Sequence, residues 1–341
     1  MRTIGVGLVG YGLGGRAFHA PYVRTTPGMA LRAIVSRDPS KVRADLPDIR
    51  VVPSIEALLA EPGIDLVIIS SPDALHVDHA SAALSAGRHM LVDKPFATSL
   101  ADARVLADVA AASDGMLTVF HNRRWDADFL TLRQLMERGQ LGDIVEVESR
   151  FDRWRPTSAA TWKEARVGGS WLDLGPHLVD QALMLFGRPE GMVADLATLR
   201  AGAPAADYFH VVLHYPNRRV ILHSSKLAAD HRLRFTVHGT RGSWVKYGVD
   251  PQEAATVSGA APGGDDWGVD GQPGLFTSGD PHTPPVPVAN VRGDYRLFWR
   301  ALAAAIRGEG PNPVPPAEAL AVMEVLDAGL RSASQHRLVT L

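Results

Sequence analysis

Short apolar runs recur through the first third of the chain, separated by stretches whose apolar positions fall at helical spacing. Runs at 4–9, 30–35, 49–52, 65–70, 89–92 and 116–121 read as strands, and the segments near 15–25, 54–60, 75–86 and 101–112 read as helices. Strands alternating with helices in this way predict a parallel, doubly wound sheet. A ligand of such a sheet lies at the carboxyl ends of its strands, where Gly10, Ser71 and Lys94 fall.

The pattern changes after about residue 122. A short helix near Phe129 to Arg138 stops at Gly139, and then Val145, Val147, Ser149 and Phe151 alternate with Glu146, Glu148 and Arg150, the signature of a strand with one wet face. Further strands are expected at 192–200, 208–215, 219–227 and 234–239, the last joined through Gly239-Thr240-Arg241-Gly242 to 243–247. Together these predict an open, mainly antiparallel sheet. Residues 251–290 hold seven glycines and seven prolines and read as a long irregular excursion over the surface. Two helices, about 293–307 and 317–332, close the chain, the second starting just after Pro315-Pro316. The expected division is a nucleotide-binding α/β domain over 1–121 and an α+β domain over 122–341, with the final helices free to pack back on the first domain. The 341 residues are enough for two cores of ordinary size.

Charge and composition narrow the partner. A formal charge of −2, with no basic run, argues against nucleic acid and for a small molecule. There is no cysteine, which excludes disulfides, thiolate metal sites and cysteine nucleophiles. No apolar stretch reaches about 18 residues, so no membrane partner is expected, and a strand stands where a signal peptide needs its hydrophobic stretch. A cytoplasmic location is the expectation.

The most informative motif is Gly10-Tyr11-Gly12-Leu13-Gly14-Gly15, a G-x-G-x-x-G pattern directly after the first strand. Its glycines allow a tight turn, a close approach to a pyrophosphate and close helix packing, and the helix that follows presents free N–H groups to phosphate. At the end of the second strand a dehydrogenase using NAD carries a carboxylate for the ribose 2′-hydroxyl, but here stand Ser36 and Arg37. Arg37, with Ser36 and Lys41, suits the 2′-phosphate of NADP, although a small register shift would bring in Asp38. NADP is the expected cofactor, ahead of NAD. Ser71-Pro72-Asp73-Ala74-Leu75-His76 opens the next helix, either as turn chemistry alone or as a cofactor contact. Asn122-Arg123-Arg124-Trp125 marks the domain junction, where paired arginines serve as a solvated face, as ion-pair partners or as the lining of a cleft.

Two constellations bear on chemistry. Asp93-Lys94-Pro95 puts a lysine at the carboxyl edge of the sheet, in a chain with five lysines against 30 arginines, and Pro95 biases Lys94 toward an extended backbone. In Gly168-Gly169-Ser170-Trp171-Leu172-Asp173-Leu174-Gly175-Pro176-His177-Leu178-Val179-Asp180, a helix that already includes Asp173 puts Asp173 and His177 one turn apart, the geometry of a general base steered by a carboxylate. Gly175-Pro176 can instead delay the helix, and Asp173 can serve merely as its cap. A metal site from Asp173, His177 and Asp180 is not expected, since the usual ligand spacings are absent.

These segments together resemble the glucose-fructose oxidoreductase / inositol dehydrogenase / rhizopine-catabolism (Gfo/Idh/MocA) family of NAD(P)-dependent enzymes. The family's Glu-Lys-Pro motif appears as Asp93-Lys94-Pro95, and its glycine-rich D-x-G-x-H segment as Gly168 to His177. Within the family the chain looks like the NADP-dependent scyllo-inositol dehydrogenases, through VFHNRRWD (119–126), FDRWRP (151–156), DLGPHLVDQAL (173–183), FTVHG (235–239) and NPVPPAEALAVMEVL (312–326). The resemblance implies a Rossmann domain followed by a domain with a larger open sheet, with homodimers or larger homo-oligomers formed through that sheet. It implies a catalytic trio of Lys94, Asp173 and His177 acting on a secondary alcohol of a cyclic polyol or sugar. Cofactor contacts are expected from Gly10, Gly12, Leu13, Gly14 and Gly15, from Ser36 and Arg37, from Ser71, Pro72 and His76, from Asp93, Lys94 and Pro95, and from Asn122 and Trp162. Arg123, Arg124, Asp152, Arg153, Trp171 and Asp180 are the expected substrate lining, beside Lys94 and His177. Other sugars remain open as substrates, and the family's non-catalytic branch leaves open a regulator that senses NADP.

Overall fold

The structure is a computed structural model, and it describes residues 2–158, 164 and 168–341. Its contacts divide the chain into two compact units, Met1–Asn122 with Pro251–Trp267 and Asp294–Leu320, and Arg123–Asp250 with Gly268–Gly293 and Ala321–Leu341.

In the first unit β1 (Ile4–Val9) runs into the glycine turn, and a π-helical turn, Gly14–His19, passes into α1 (Ala20–Thr25). There follow β2 (Met29–Val35), α2 (Pro39–Asp45), β3 (Arg50–Val52), α3 (Ile55–Leu59), β4 (Leu66–Ile69), α4 (His76–Ser85), β5 (His89–Val92), α5 (Leu100–Ala111) and β6 (Leu117–Val119). The strands form one parallel sheet in the order β3-β2-β1-β4-β5-β6. Every residue of β1 and β4 is buried, as a sheet covered on both faces requires. The order reverses between β1 and β4, so the ends of those two strands flank the crevice where such sheets bind ligands. Helix α2 was not expected. Asp38 caps it and Pro39 occupies its first turn, a start signal short enough to be taken for a loop. The edge strand β6 is covered rather than bare: Val119 N–H donates to the Val314 carbonyl (3.2 Å), and Asn312 bonds both Thr118 and the Leu117 carbonyl.

The second unit opens with α6 (Ala127–Glu137), β7 (Ile144–Arg150) and α7 (Gly169–Phe186). It continues through β8 (Gly191–Ala197), β9 (Tyr208–Tyr215), β10 (Arg218–Ser225), β11 (Leu233–Gly239) and β12 (Gly242–Tyr247). The span 251–290 is more regular than its glycines and prolines suggest. It holds α8 (Gln252–Val257), which belongs to the first unit, and then β13 (Gly274–Ser278) and β14 (Val286–Val288), which extend the second unit's sheet. Pro281, Pro284 and Pro285 sit between these two strands and Pro287 in the edge strand β14, where a missing N–H costs no ladder bond. Helices α9 (Arg296–Ile306) and α10 (Pro316–Gln335) and the short β15 (Val339–Thr340) complete the chain.

The resulting nine-stranded sheet has the order β14-β13-β12-β11-β7-β10-β9-β8-β15 and is antiparallel except for the β7–β10 pair. One face is core: Val147, Phe209, Val211, Leu213, Val220, Leu222, Phe235, Val237 and Trp244 are buried. The opposite face carries a cross-strand row, Val193, Val212, Ile221, Glu148, Thr236, Val245 and Leu275, whose end members Val193 and Leu275 are 40% and 46% exposed. Among the described residues no helix is long and apolar enough to cross a membrane.

Candidate active site

Gly10 leaves β1 at φ +99°, a conformation that side chains with a Cβ rarely adopt. Gly15 is where the helix meets the strand end, since a Cβ there would lie 2.2 Å from the Gly10 carbonyl oxygen. Gly12 is different. A Cβ at Gly12 meets nothing within 4 Å, so no contact of the chain itself requires glycine there. An open, exposed position at the centre of the turn is what a backbone that must lie against a pyrophosphate provides, and the residues of this turn fit a dinucleotide. Leu13 is 49% exposed beside it.

The ends of the other central strands gather next to this turn. A Cβ on Gly14 would sit 2.4 Å from Ser70 Oγ and 2.8 Å from Asp93 Oδ2. Asp93, an expected cofactor contact, accepts from Ser70 Oγ at 2.8 Å and faces His19 Nε2 at 3.2 Å, with its side chain 21% exposed. Burial alone would raise the pKa of Asp93, but the charge and close approach of His19, together with the Ser70 hydroxyl, outweigh it and hold the group at about 2. Lys94 follows, half-buried, joined to the buried Pro95 by a cis peptide bond. His76, expected as a cofactor contact, has no surface to offer one. It is fully buried, with Nδ1 3.1 Å from the Pro95 carbonyl and Nε2 3.1 Å from the Ser71 carbonyl. Ser71 Oγ pairs with His79 Nδ1 at 3.1 Å, Pro72 is exposed, and Asn122 is buried.

The end of β2 holds the groups that bear on the ribose site. Asp38 is spent on α2, where its carboxylate accepts from the Ser40 and Lys41 backbones and from Ser40 Oγ. The Ser40 hydroxyl and then the Lys41 N–H hold its pKa below the usual carboxylate range. Ser36 Oγ bonds the Asp38 backbone. Arg37 is exposed, and among the described residues its side chain has no hydrogen-bonding or ionic partner.

In the second unit α7 begins at Gly169, so Asp173 and His177 are both helical and lie at i and i+4 on one face; the delay that Gly175-Pro176 might impose does not occur. Asp173 is half-buried and His177 is 7% exposed. The turn after His177 is locked. Arg124 Nε and Nη2 grip Asp180 at 2.9 and 2.5 Å, both side chains nearly sealed from solvent. Gln181 donates to the Arg123 carbonyl and accepts from Arg234 Nη2 at 2.7 Å, and Arg234 also faces Asp128 at 3.3 Å.

Several residues expected to line a substrate pocket are buried and paired within the second unit. Arg124 and Asp180 satisfy each other. Asp152 is 2% exposed and accepts from Arg150 Nε (2.8 Å) and the Ser225 N–H (2.7 Å). Trp171 is fully buried, lies against Gly175 and Gly329, and donates its indole N–H to the Leu326 carbonyl at 2.9 Å. Arg123 and Arg153 each lie over the ring of Phe151, with guanidinium carbons 4.7 and 4.3 Å from its centroid. Trp162 lies outside the described residues. His19 and Ser70 were missed: the first is an isolated histidine in a helix and the second the residue after an apolar run, and neither carries a local pattern. Among the described residues no group of three or more His, Asp or Glu side chains could hold a metal ion.

Comparison with known proteins agrees with the architecture. Residues 4–121 match the model of the Gfo/Idh/MocA oxidoreductase family's NAD-binding Rossmann fold, and residues 133–341 match that of the family's C-terminal alpha/beta domain. The chain is 47% identical over 339 residues to the oxidoreductase YdgJ of Escherichia coli, covering 98% of this chain and 97% of that protein. It is 35% identical over 346 residues to the scyllo-inositol 2-dehydrogenase (NADP(+)) IolW of Bacillus subtilis, covering 99% and 96%. A solved oxidoreductase structure from Yersinia pestis superposes with a TM-score of 0.96 at 46% identity, over 100% of this chain and 97% of that one. The chain belongs to the Gfo/Idh/MocA family and is an NAD(P)-dependent oxidoreductase acting on CH–OH groups.

Proposed function

We propose that the protein reversibly oxidises a secondary alcohol of a cyclic polyol, scyllo-inositol or a close stereoisomer, with NADP in preference to NAD. The observation that carries this reading is the fastening of Asp93-Lys94-Pro95 beside the open glycine turn, in a chain whose second unit presents an aspartate and a histidine on one helical turn. The glycine turn and Arg37 would hold the dinucleotide, Arg37 meeting a 2′-phosphate that the capped Asp38 cannot repel by pointing at it. When bound, the nicotinamide supplies the acceptor for the hydride that leaves the alcohol carbon.

The chain's own groups manage the proton and the charge. A ring nitrogen of His177 accepts the hydroxyl proton, and Asp173 one turn earlier fixes the imidazole tautomer and stabilises its protonated form. Lys94 hydrogen-bonds the same oxygen and offsets the alkoxide charge that develops as the carbon–hydrogen bond breaks. The choice of polyol follows the scyllo-inositol 2-dehydrogenase of Bacillus subtilis to which the chain is similar, and the segment matches above. We further propose that copies associate through the outer face of the nine-stranded sheet. Its Val193-Val212-Ile221 row is an apolar stripe on the side away from the core, the arrangement a second copy would cover.

The experiment is a screen of polyols and sugars with NADP and with NAD, followed at the reduced-nicotinamide absorbance band and including scyllo-inositol and myo-inositol. Turnover of an inositol with higher kcat/KM for NADP is expected. Turnover confined to non-cyclic sugars, or a clear preference for NAD, would overturn the substrate or the cofactor assignment respectively.

A further inference from the structure

Two fully buried histidines of the first unit take no part in the proton transfer proposed above. His19 ends the π-helical turn and His76 opens α4, and both are 0% exposed. Burying an imidazole costs free energy that a leucine or phenylalanine of similar volume would not, unless its nitrogens find partners. The groups they face lie on either side of one residue, although neither ring nitrogen of His19 makes a hydrogen bond and only its Nε2 approaches a charged group. His19 Nε2 faces the Asp93 carboxylate at 3.2 Å, so the residue before Lys94 is held by its side chain. His76 Nδ1 is 3.1 Å from the Pro95 carbonyl, so the residue after Lys94 is held by its backbone. Each histidine is in turn anchored elsewhere. The ring of His19 lies 4.7 Å from that of Phe120 and 5.8 Å from that of Trp299, and His76 Nε2 reaches the Ser71 carbonyl at 3.1 Å. Ser70, next to Ser71, closes the bracket by donating to Asp93. The lysine itself has a long flexible stem, and the backbone on both sides sets where that stem starts.

We infer that His19 and His76 are positioning residues for Lys94, bracketing it so that its ammonium group is presented in one direction beside the glycine turn. The inference rests on the role proposed for Lys94 and goes beyond it. It assigns a purpose to two buried imidazoles that the chemistry does not use, and it makes the direction of Lys94 depend on residues distant in sequence.

The test uses the full chain with four substitutions. His19→Phe keeps the ring packing and removes the partner of Asp93, His76→Leu removes both carbonyl contacts, and His19→Gln and His76→Gln each keep an amide N–H to donate. Three quantities are read: kcat and KM for the polyol at saturating NADP, the Kd of NADP for the protein without substrate, and the carbon-13 resonances of reductively methylated lysines. The chain has five lysines, so the Lys94 signal is assigned by its loss in Lys94→Arg. His19→Phe and His76→Leu are expected to lower kcat roughly 10- to 100-fold, the scale of a small misplacement of a reacting group. The NADP Kd should stay within about threefold, the Lys94 resonance should move while those of the other lysines do not, and the glutamine variants should recover most of the loss. Wild-type kcat with an unmoved Lys94 resonance in both variants overturns the inference. So does a loss carried wholly by NADP affinity, which would make the histidines part of the cofactor site. Should His76→Leu fail to fold, His19→Phe and His76→Gln decide by the same readings. Full activity in Lys94→Ala would instead sink the lysine's catalytic role, and the resonance shift would still decide whether the bracket sets its direction.

Discussion

Lys94 stands just past a four-residue strand, whereas Asp173 and His177 stand inside an eighteen-residue helix. The first unit fixes its side chain from the flanks, with a carboxylate on one side, a carbonyl on the other, and a glycine turn alongside. The second unit fixes its pair from beneath, through the Arg124–Asp180 clamp and the Gln181–Arg234 bond one turn further along the same helix. Strand ends lend themselves to backbone recognition of a cofactor, because each releases free backbone groups at one edge of the sheet. A helix lends itself to a proton-handling pair, because its pitch alone sets two side chains side by side. The same contrast appears in the sheets. One is buried on both faces and needs nothing further, and the other keeps an apolar row on its outer side.

The largest effect that would break this comparison lies in the helix. His177→Ala and Asp173→Asn are each expected to lower turnover on the order of 10²–10⁴-fold while leaving the NADP Kd nearly unchanged, as measured by steady-state kinetics and direct binding. Loss of NADP binding in either variant would mean that the helix serves the cofactor. Next comes the clamp. Arg124→Ala leaves Asp180 buried and uncompensated, and chemical denaturation should register a loss of about 3–5 kcal/mol. A loss below about 1 kcal/mol would mean that α7 is held by its apolar packing alone.

Acid should separate the two units. His223, on the outer side of the nine-stranded sheet, has its pKa lowered from 6.5 to about 4, first by burial and then by Arg150, against the pull of Asp152. Between those values the unfolded chain binds a proton that the native protein refuses, so stability falls as pH drops from 6.5 toward 4, by on the order of 3 kcal/mol. Asp93 acts in the same direction but in a lower window. Its native pKa of about 2 lies below its ordinary 3.8, so its contribution, on the order of 2 kcal/mol, is whole above pH 3.8 and is lost only as pH falls toward 2. His223→Phe should flatten the stability profile in the upper window and Asp93→Asn only in the lower one. Denaturation midpoints at pH 7, 5 and 3 check both, and a His223→Phe protein that still weakens by the wild-type amount between pH 6.5 and 4 contradicts the assignment. Smallest is the effect of Arg37. Removing one charge-assisted contact to a phosphate, Arg37→Ala should cost NADP about 10- to 100-fold in kcat/KM and leave NAD almost unaffected.

Much of the first unit was legible in the sequence because each of its parts has a local cause. Continuous apolar runs give strands buried on both faces, and glycines at fixed offsets give the turn. The i, i+4 spacing of Asp173 and His177 was equally local, and the only doubt came from Gly175-Pro176. Pro176 has no N–H to donate to the Leu172 carbonyl, yet the helix runs through it, since the burial of Trp171, Leu172, Leu178 and Val179 outweighs one missing bond. What the sequence concealed was pairing across long separations. Arg124 and Asp180 are 56 residues apart and Trp171 and Leu326 are 155 apart, so no local pattern announced that these residues pair. Proline-rich composition hid β13 and β14, although β13 itself holds no proline and Pro287 falls in β14, the edge strand, where a missing N–H is tolerated. The cap at Asp38 hid for the opposite reason: it is a local signal, but one shared by turns and helix starts.

The most direct measurement is the turnover of Lys94→Ala with scyllo-inositol at saturating NADP, taken together with its NADP Kd. The account requires kcat to fall by at least about 100-fold while the Kd holds, since an ammonium group that offsets charge only as the alkoxide forms contributes to the transition state and not to cofactor binding. Wild-type kcat, or a fall explained entirely by weaker NADP binding, would contradict it.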